Sequence, residues 1–179
     1  MATTETRINT ETVLTVDNLR THFTTRWGTV KAVDGISFDL RRGETLGIVG
    51  ESGCGKSVTM LSLMRLIPIP PGRIVSGSIV LDGEDIVQIS EQEMAQIRGS
   101  KIALIIQDPM TSLNPVFSIG DQVEEAITIH QREIPKRSVM EKALEVLRKV
   151  NIPAAETRAK DYPHQMSGGM RQRVVGAIG

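Results

Sequence analysis

The chain has 179 residues, enough for one domain with a real core and too few for two comfortable ones. Its 21 basic and 21 acidic side chains cancel, which argues against a general nucleic-acid binder. Aromatic residues make up only 3%, so the core must be built from Ile, Val, Leu and Met, and a lone Cys54 excludes an intrachain disulfide.

The first eleven residues, Met1 to Glu11, are polar and rich in Thr, and read as a frayed tail rather than a secretion signal. No apolar run reaches the length needed to cross a bilayer. Val13 to Leu19 partly alternates, as an edge-type strand would. Trp27-Gly28-Thr29-Val30 suits a hairpin turn leading into a strand Val30 to Val33, and a second strand, Ile36 to Leu40, ends at the turn Arg41-Arg42-Gly43-Glu44. The N-terminal third is therefore expected to be an antiparallel meander feeding a buried strand at Thr45 to Val49.

That strand runs into Gly50-Glu51-Ser52-Gly53-Cys54-Gly55-Lys56-Ser57, which has two glycines separated by four residues and followed by Lys and Ser. The spacing is that of a phosphate-binding loop. Three glycines in six positions let the backbone close around an anion with its N–H groups turned inward. Lys56 supplies a mobile positive charge, and Ser57 offers a hydroxyl to a magnesium ion on the phosphates. A helix from Ser57 to Ile67, with Val58 in its first turn, places its positive end under the same anion. The thiol of Cys54 reads as incidental to a position whose backbone matters.

Further on, Pro68-Ile69-Pro70-Pro71-Gly72 should stop that helix. Ser76 to Gly83 reads as a strand and tight turn, and Ser90 with Glu93 as a capping box opening a short helix through Ile97. Lys101 to Ile106 is a near-continuous apolar run expected to form a strand covered on both faces, ending in Gln107-Asp108-Pro109. Gln107, at the carboxyl end of a central strand beside a phosphate site, can coordinate magnesium and hold an attacking water. Helices follow. Gly120 to Arg132 carries apolar residues at helical spacing, and from Lys136 to Val150 the set Val139, Ala143, Leu147 and Val150 predicts an amphipathic helix. His22, His130 and His164 are scattered and read as surface or capping residues.

The last informative stretch is Tyr162-Pro163-His164-Gln165-Met166-Ser167-Gly168-Gly169-Met170-Arg171-Gln172-Arg173. Ser167 can cap a helix starting at Gly168, with two glycines leaving the first-turn N–H groups open as a second anion site, and Arg171 and Arg173 adding charge nearby. One chain hardly needs two helix tips for one nucleotide. Two copies arranged head to tail could use both.

Together the phosphate loop, the Gln107 to Pro115 segment (QDPMTSLNP) and the Tyr162 to Arg173 segment resemble the ATP-binding subunits of ABC transporters. The closer resemblance is to those that power oligopeptide and dipeptide importers, whose relatives include nickel importers. It covers the chain from about Leu14 onward. It implies an α/β fold of the P-loop NTPase class: an ABC-type ATPase core with an N-terminal antiparallel β subdomain and a helical subdomain. The expected layout is a tail at 1–11, the nucleotide-binding core at 12–108, the helical subdomain at 109–165, and the signature with the start of its helix at 166–179.

The resemblance also implies ATP and Mg2+ as cofactors. It gives Gln107 a contact with the membrane subunits as well as magnesium, and assigns Ser167, Gly168, Gly169 and Met170 to the γ-phosphate of ATP held by a partner subunit. Phe23, with Trp27 as a second candidate, would stack on adenine. The implied partners are an identical or paralogous ATP-binding subunit, transmembrane permease subunits and, indirectly, a substrate-binding protein, at the cytoplasmic face of the inner membrane. Met166 stands where the family usually has Leu, a volume-conserving exchange.

The family's downstream aspartate, glutamate and switch histidine do not occur in this chain. The expectation is therefore the N-terminal part of a longer subunit, binding ATP without hydrolysing it efficiently. The competing readings are an inert or interaction-only fragment and a fragment of an ABC-type DNA-repair ATPase. A small P-loop kinase or GTPase would leave the second helix tip unused.

Overall fold

The computed structural model describes residues 12–106, 112–131 and 133–179. The chain divides into two compact units, Met1–Gln96 and Ile97–Gly179.

The first unit is built on a four-stranded antiparallel sheet of β1 (Thr12–Thr25), β2 (Gly28–Arg41), β3 (Gly72–Leu81) and β4 (Glu84–Asp85), in the order β2-β1-β3-β4. β1 is thus an interior strand, not the edge strand its partial alternation suggested. The imperfect alternation has a local cause. Val16 pairs with Phe38 and Leu19 with Ile36, so β1 carries one extra residue, and Asn18 sits there with φ 46°. This bulge shifts the phase of burial from Leu14 and Val16 to Leu19 and Thr21, keeping all four on the core face. β2 is one continuous strand where two short ones were expected, and the turn between β1 and β2 is Arg26-Trp27. The β3–β4 turn is Asp82-Gly83, both with positive φ, as a two-residue hairpin of matching twist requires.

Helix α1 (Lys56–Leu63) is docked on this sheet by a buried hydroxyl pair, Thr21 Oγ1 to Ser62 Oγ at 2.8 Å, each side chain at 0% exposure. The helix ends earlier than expected, and the prolines do not end it. Arg65 takes a left-handed conformation, its N–H donates to Ser62 O and that of Leu66 to Leu61 O, forming a Schellman motif three residues before Pro68. The Arg65 guanidinium donates to the carbonyls of Ile86 and Ile89. α2 (Glu91–Ile97) opens with the expected box: Ser90 Oγ accepts from Glu93 N, and the Glu93 carboxylate accepts from Ser90 N.

The two apolar runs expected to be buried strands are not strands. Thr45 to Val49 has no regular structure and exposes Leu46, Ile48 and, at 91%, Val49. Lys101 to Ile106 forms only an isolated bridge between Arg98 and Ile102, with Ile105 and Ile106 half exposed. A parallel strand closes its hydrogen bonds only on neighbours at both edges, and among the described residues neither run has them.

The second unit is helical: α3 (Ile119–His130), α4 (Lys136–Lys149), α5 (Ala155–Arg158), a 3-10 turn at Pro163–Gln165 and α6 (Gly168–Ile178). Ile119, Val123 and Ile127 from α3 meet Val139, Ala143 and Leu147 from α4, with Met166, Val174 and Val175 completing the core. The 3.6-residue spacing in the sequence puts each set on one face. Asn151 at φ 57° ends α4 in a second Schellman motif, donating to Arg148 O while Ile152 donates to Leu147 O.

Candidate functional site: a phosphate cradle at the start of α1

Gly50 to Ser57 forms a tight loop that delivers the chain into α1. Gly55 is the N-cap with φ 97°, and no side chain caps the helix, so its first-turn N–H groups are left for an external acceptor. The φ of Gly55 demands glycine, and so does its surroundings: a Cβ there would lie 2.3 Å from the carbonyl oxygen of Ala32 in β2. β2 therefore presses directly on the neck of the loop. On the other side a Cβ on Gly50 would lie 2.7 Å from Cys54 Sγ, so the loop closes on itself.

Lys56 reaches back into this loop. Its Nζ donates to Gly50 O at 2.7 Å and Glu51 O at 2.6 Å, and lies 3.5 Å from Cys54 Sγ. A concave cavity of about 520 Å³ opens here, lined by Val30, Lys31 and Ala32 of β2 and by Ser52 to Val58. Both charged lining residues, Lys31 and Lys56, are cationic, on a chain without net charge. Ser57, in the first turn of α1, is exposed and lines the cavity. An exposed hydroxyl beside a cationic cradle fits a magnesium ion carried in on phosphates, and when bound that ion would neutralise part of their charge.

Sequence reasoning did not single out Val30, Lys31 and Ala32. Thr21 pairs with Val33 and His22 with Lys31, so Ala32 is the extra residue of a bulge in β2, and its carbonyl is the one that meets Gly55. The visible signal was the three-residue spacing of Val30 and Val33, where a regular strand would alternate. Across the bulge Lys31 Nζ lies 3.4 Å from Asp34 Oδ2, while Arg20 Nη1 donates to Asp34 Oδ1 at 2.6 Å and His22 Nε2 sits 3.8 Å from it. Partial desolvation pushes the Asp34 carboxyl up. The charge and hydrogen bond of Lys31, then Arg20 and His22, outweigh it and leave the group below the usual carboxylate range. His22 is thus half-buried with its Nε2 enclosed, not a surface residue.

Phe23 is not among the residues lining the cavity. It pairs with the lining residue Val30, but its ring packs over β3, where a Cβ on Gly72 would lie 2.7 Å from Phe23 Cε1. Trp27, at the tip of the β1–β2 hairpin, is 87% exposed with the Arg26 guanidinium 5.4 Å from its ring centroid. Gln107 lies outside the described residues.

In the helical unit Ser167 caps α6, its Oγ accepting from Met170 N at 3.3 Å, and Gly168 and Gly169 have open space where a Cβ would stand. Arg173 does not add charge to this tip as expected. It donates to Asn151 O at 2.8 Å and so serves the carboxyl end of α4. His164 stacks on Tyr162 with ring centroids 5.7 Å apart.

A glycine loop closed over a lysine at the start of a helix, against an antiparallel sheet, is an arrangement of the P-loop fold class. The profile of the ABC transporter family matches residues 33–178, and the chain belongs to that family. Over 93% of its length it is 48% identical to the probable peptide ABC transporter ATP-binding protein of Sinorhizobium fredii, covering 49% of that protein. It is 50% identical over 94% of its length to the dipeptide transport ATP-binding protein of Bacillus subtilis, covering 50% of it, and 49% identical over 93% to the oligopeptide transport ATP-binding protein of the same organism, covering 46%. The chain thus spans about half the length of the curated relatives it matches. Among solved structures, the dimeric ATP-binding cassette MJ0796 bound to ADP and Pi superposes with a TM-score of 0.79 at 24% identity, covering 92% of this chain and 68% of that one. That likeness shows the fold.

Proposed function

We propose that the cavity at Ser52 to Val58 binds ATP with magnesium, as the nucleotide site of a subunit that powers peptide uptake through an ABC transporter. The observation that carries this reading is the position of Lys56. Its ammonium is held by two loop carbonyls in a cradle whose uncapped helix start and cationic lining favour a polyanion. Gly50 to Ser57 hold the phosphates and Ser57 takes the magnesium. Gln107 adds a magnesium ligand in this reading. The peptide class of cargo rests on the names of the relatives. The open, Ser167-capped tip of α6, with Gly168, Gly169 and Met170, would serve the nucleotide of a second subunit, and permease subunits would complete the machine.

Hydrolysis needs a base aimed at the attacking water. Among the described residues, those lining the cavity include no carboxylate and no imidazole. The chain should therefore bind ATP and turn it over poorly. Titration of the 179-residue protein with a fluorescent ATP analogue in magnesium should show saturable binding displaced by ATP. Lys56→Ala should weaken it at least about tenfold, or ~1.4 kcal/mol. An absence of displaceable binding would overturn the nucleotide-site reading. Phosphate release at ~1 per second or faster, within the ordinary enzyme range, and lost in Lys56→Ala, would overturn the claim of poor turnover.

A further inference from the structure

We propose that Lys31 is a second phosphate-contacting cation of this site, re-aimed into it by the β2 bulge at Ala32 and able to exchange between the Asp34 carboxylate and a phosphate. The inference rests on the nucleotide reading of the cavity and adds a residue that the glycine-loop pattern does not contain.

The geometry argues for it in three steps. The bulge places an extra residue, Ala32, between Lys31 and Val33, which turns Lys31 out of the regular alternation and into the cavity lining. The same residue's carbonyl abuts Gly55, so the bulge and the phosphate loop are fitted to each other, and Lys31 is held one residue from that contact. Finally, the tie to Asp34 is the looser of two: Arg20 holds Asp34 Oδ1 at 2.6 Å, while Lys31 stands 3.4 Å from Oδ2 with its side chain 58% exposed. Arg20 keeps the carboxylate paired when Lys31 leaves it, so the ammonium can swing to a phosphate without stranding a charge. A lysine on a flexible stem, a compact and mobile point charge, suits that exchange.

The test is a double-mutant cycle read as the affinity of the full 179-residue protein for a fluorescent ATP analogue, with ATP, ADP, AMP, adenosine and pyrophosphate as competitors. Lys31→Ala should weaken ATP about five- to tenfold, weaken AMP less and leave adenosine within about twofold. Lys31→Arg should retain most of the affinity. Asp34→Asn should tighten ATP about two- to threefold in the wild type and change nothing in the Lys31→Ala background, a coupling that a merely structural role for Asp34 would not produce. If the wild type binds ATP while Lys31→Ala binds it equally well, or if adenosine is weakened as much as ATP, Lys31 is not a phosphate contact. If Asp34→Asn has the same effect in both backgrounds, Lys31 does not exchange between Asp34 and a phosphate. If the wild type binds no nucleotide, the underlying reading falls and takes this one with it.

Discussion

Gly55 concentrates the local physics of the site in one residue. Its φ of 97° is left-handed, and the Ala32 carbonyl occupies the place a side chain would need. Gly53 has a similar φ of 83° but open space around it. The two therefore separate conformational strain from steric exclusion. Gly53→Ala should cost about 1–2 kcal/mol in chemical denaturation, the strain of a left-handed alanine, and leave nucleotide affinity within a few-fold. Gly55→Ala adds a clash that must push β2 from the loop neck. It should cost more than Gly53→Ala and abolish binding of the fluorescent ATP analogue. Equal stability losses would mean that the contact with β2 is slack. Lys56 shows the limit of a sequence pattern at this scale: the pattern names the residue, whereas its partners, Gly50 O and Glu51 O, are a matter of loop closure.

At the scale of elements, the helix ends are where local chemistry decides most. The box at Ser90 and Glu93 was legible because both partners are the preferred types at the required spacing. The equivalent box on α3, in which Ser118 Oγ accepts from Asp121 N and the Asp121 carboxylate accepts from Ser118 N, was not singled out, since Asp stands where Glu is usual. Ser118→Ala should cost about 1 kcal/mol in urea denaturation.

Glu93 carries a pH signature. The Ser90 hydroxyl, then the Ser90 N–H, hold its carboxyl below the usual carboxylate range against a small opposing desolvation. A depressed folded value means stability that is fully present above the unfolded value, about 4.3, and is lost as pH falls through the folded one. Ser90→Ala should therefore lower the melting temperature at pH 7 and have a smaller effect at pH 3. An undiminished difference at pH 3 would show that the box does not act through the ionised carboxylate. The two Schellman motifs were hidden for a related reason: Arg65 and Asn151 occupy left-handed positions where glycine is the readable signal.

Taken as a whole molecule, the chain leaves unmade what its apolar runs are suited to make. Val49 is 91% exposed and Ile105 and Ile106 about half exposed, in segments whose composition fits buried parallel strands. Exposed apolar backbone without strand partners is a template for self-association. The 179-residue protein should accordingly bind the dye ANS and scatter light increasingly with concentration. Val49→Ser with Ile105→Ser and Ile106→Ser should reduce both. Dye binding unchanged in the triple variant would place the exposed apolar surface elsewhere, for example at Trp27 or Val116 and Phe117. No helix among the described residues is long and apolar enough to cross a membrane.

The sequence by itself determined the glycine loop that leads into α1, the cap of α6 at Ser167, the amphipathic face of α4 and the turn at Asp82-Gly83. Each depends on residues a few positions apart, whose chemistry acts over one turn of chain. Only the tertiary structure decided that β1 lies inside its sheet, that Arg173 serves α4, that Phe23 packs on Gly72, that Ala32 meets the loop and that Lys31 lines its cavity. Those outcomes depend on which distant strands pair and where a bulge shifts their register, a choice set by the summed burial and hydrogen bonding of whole elements. The same reason left Thr45 to Val49 and Lys101 to Ile106 without strand structure: an apolar run states a capacity to be buried, and neighbouring strands decide whether it is.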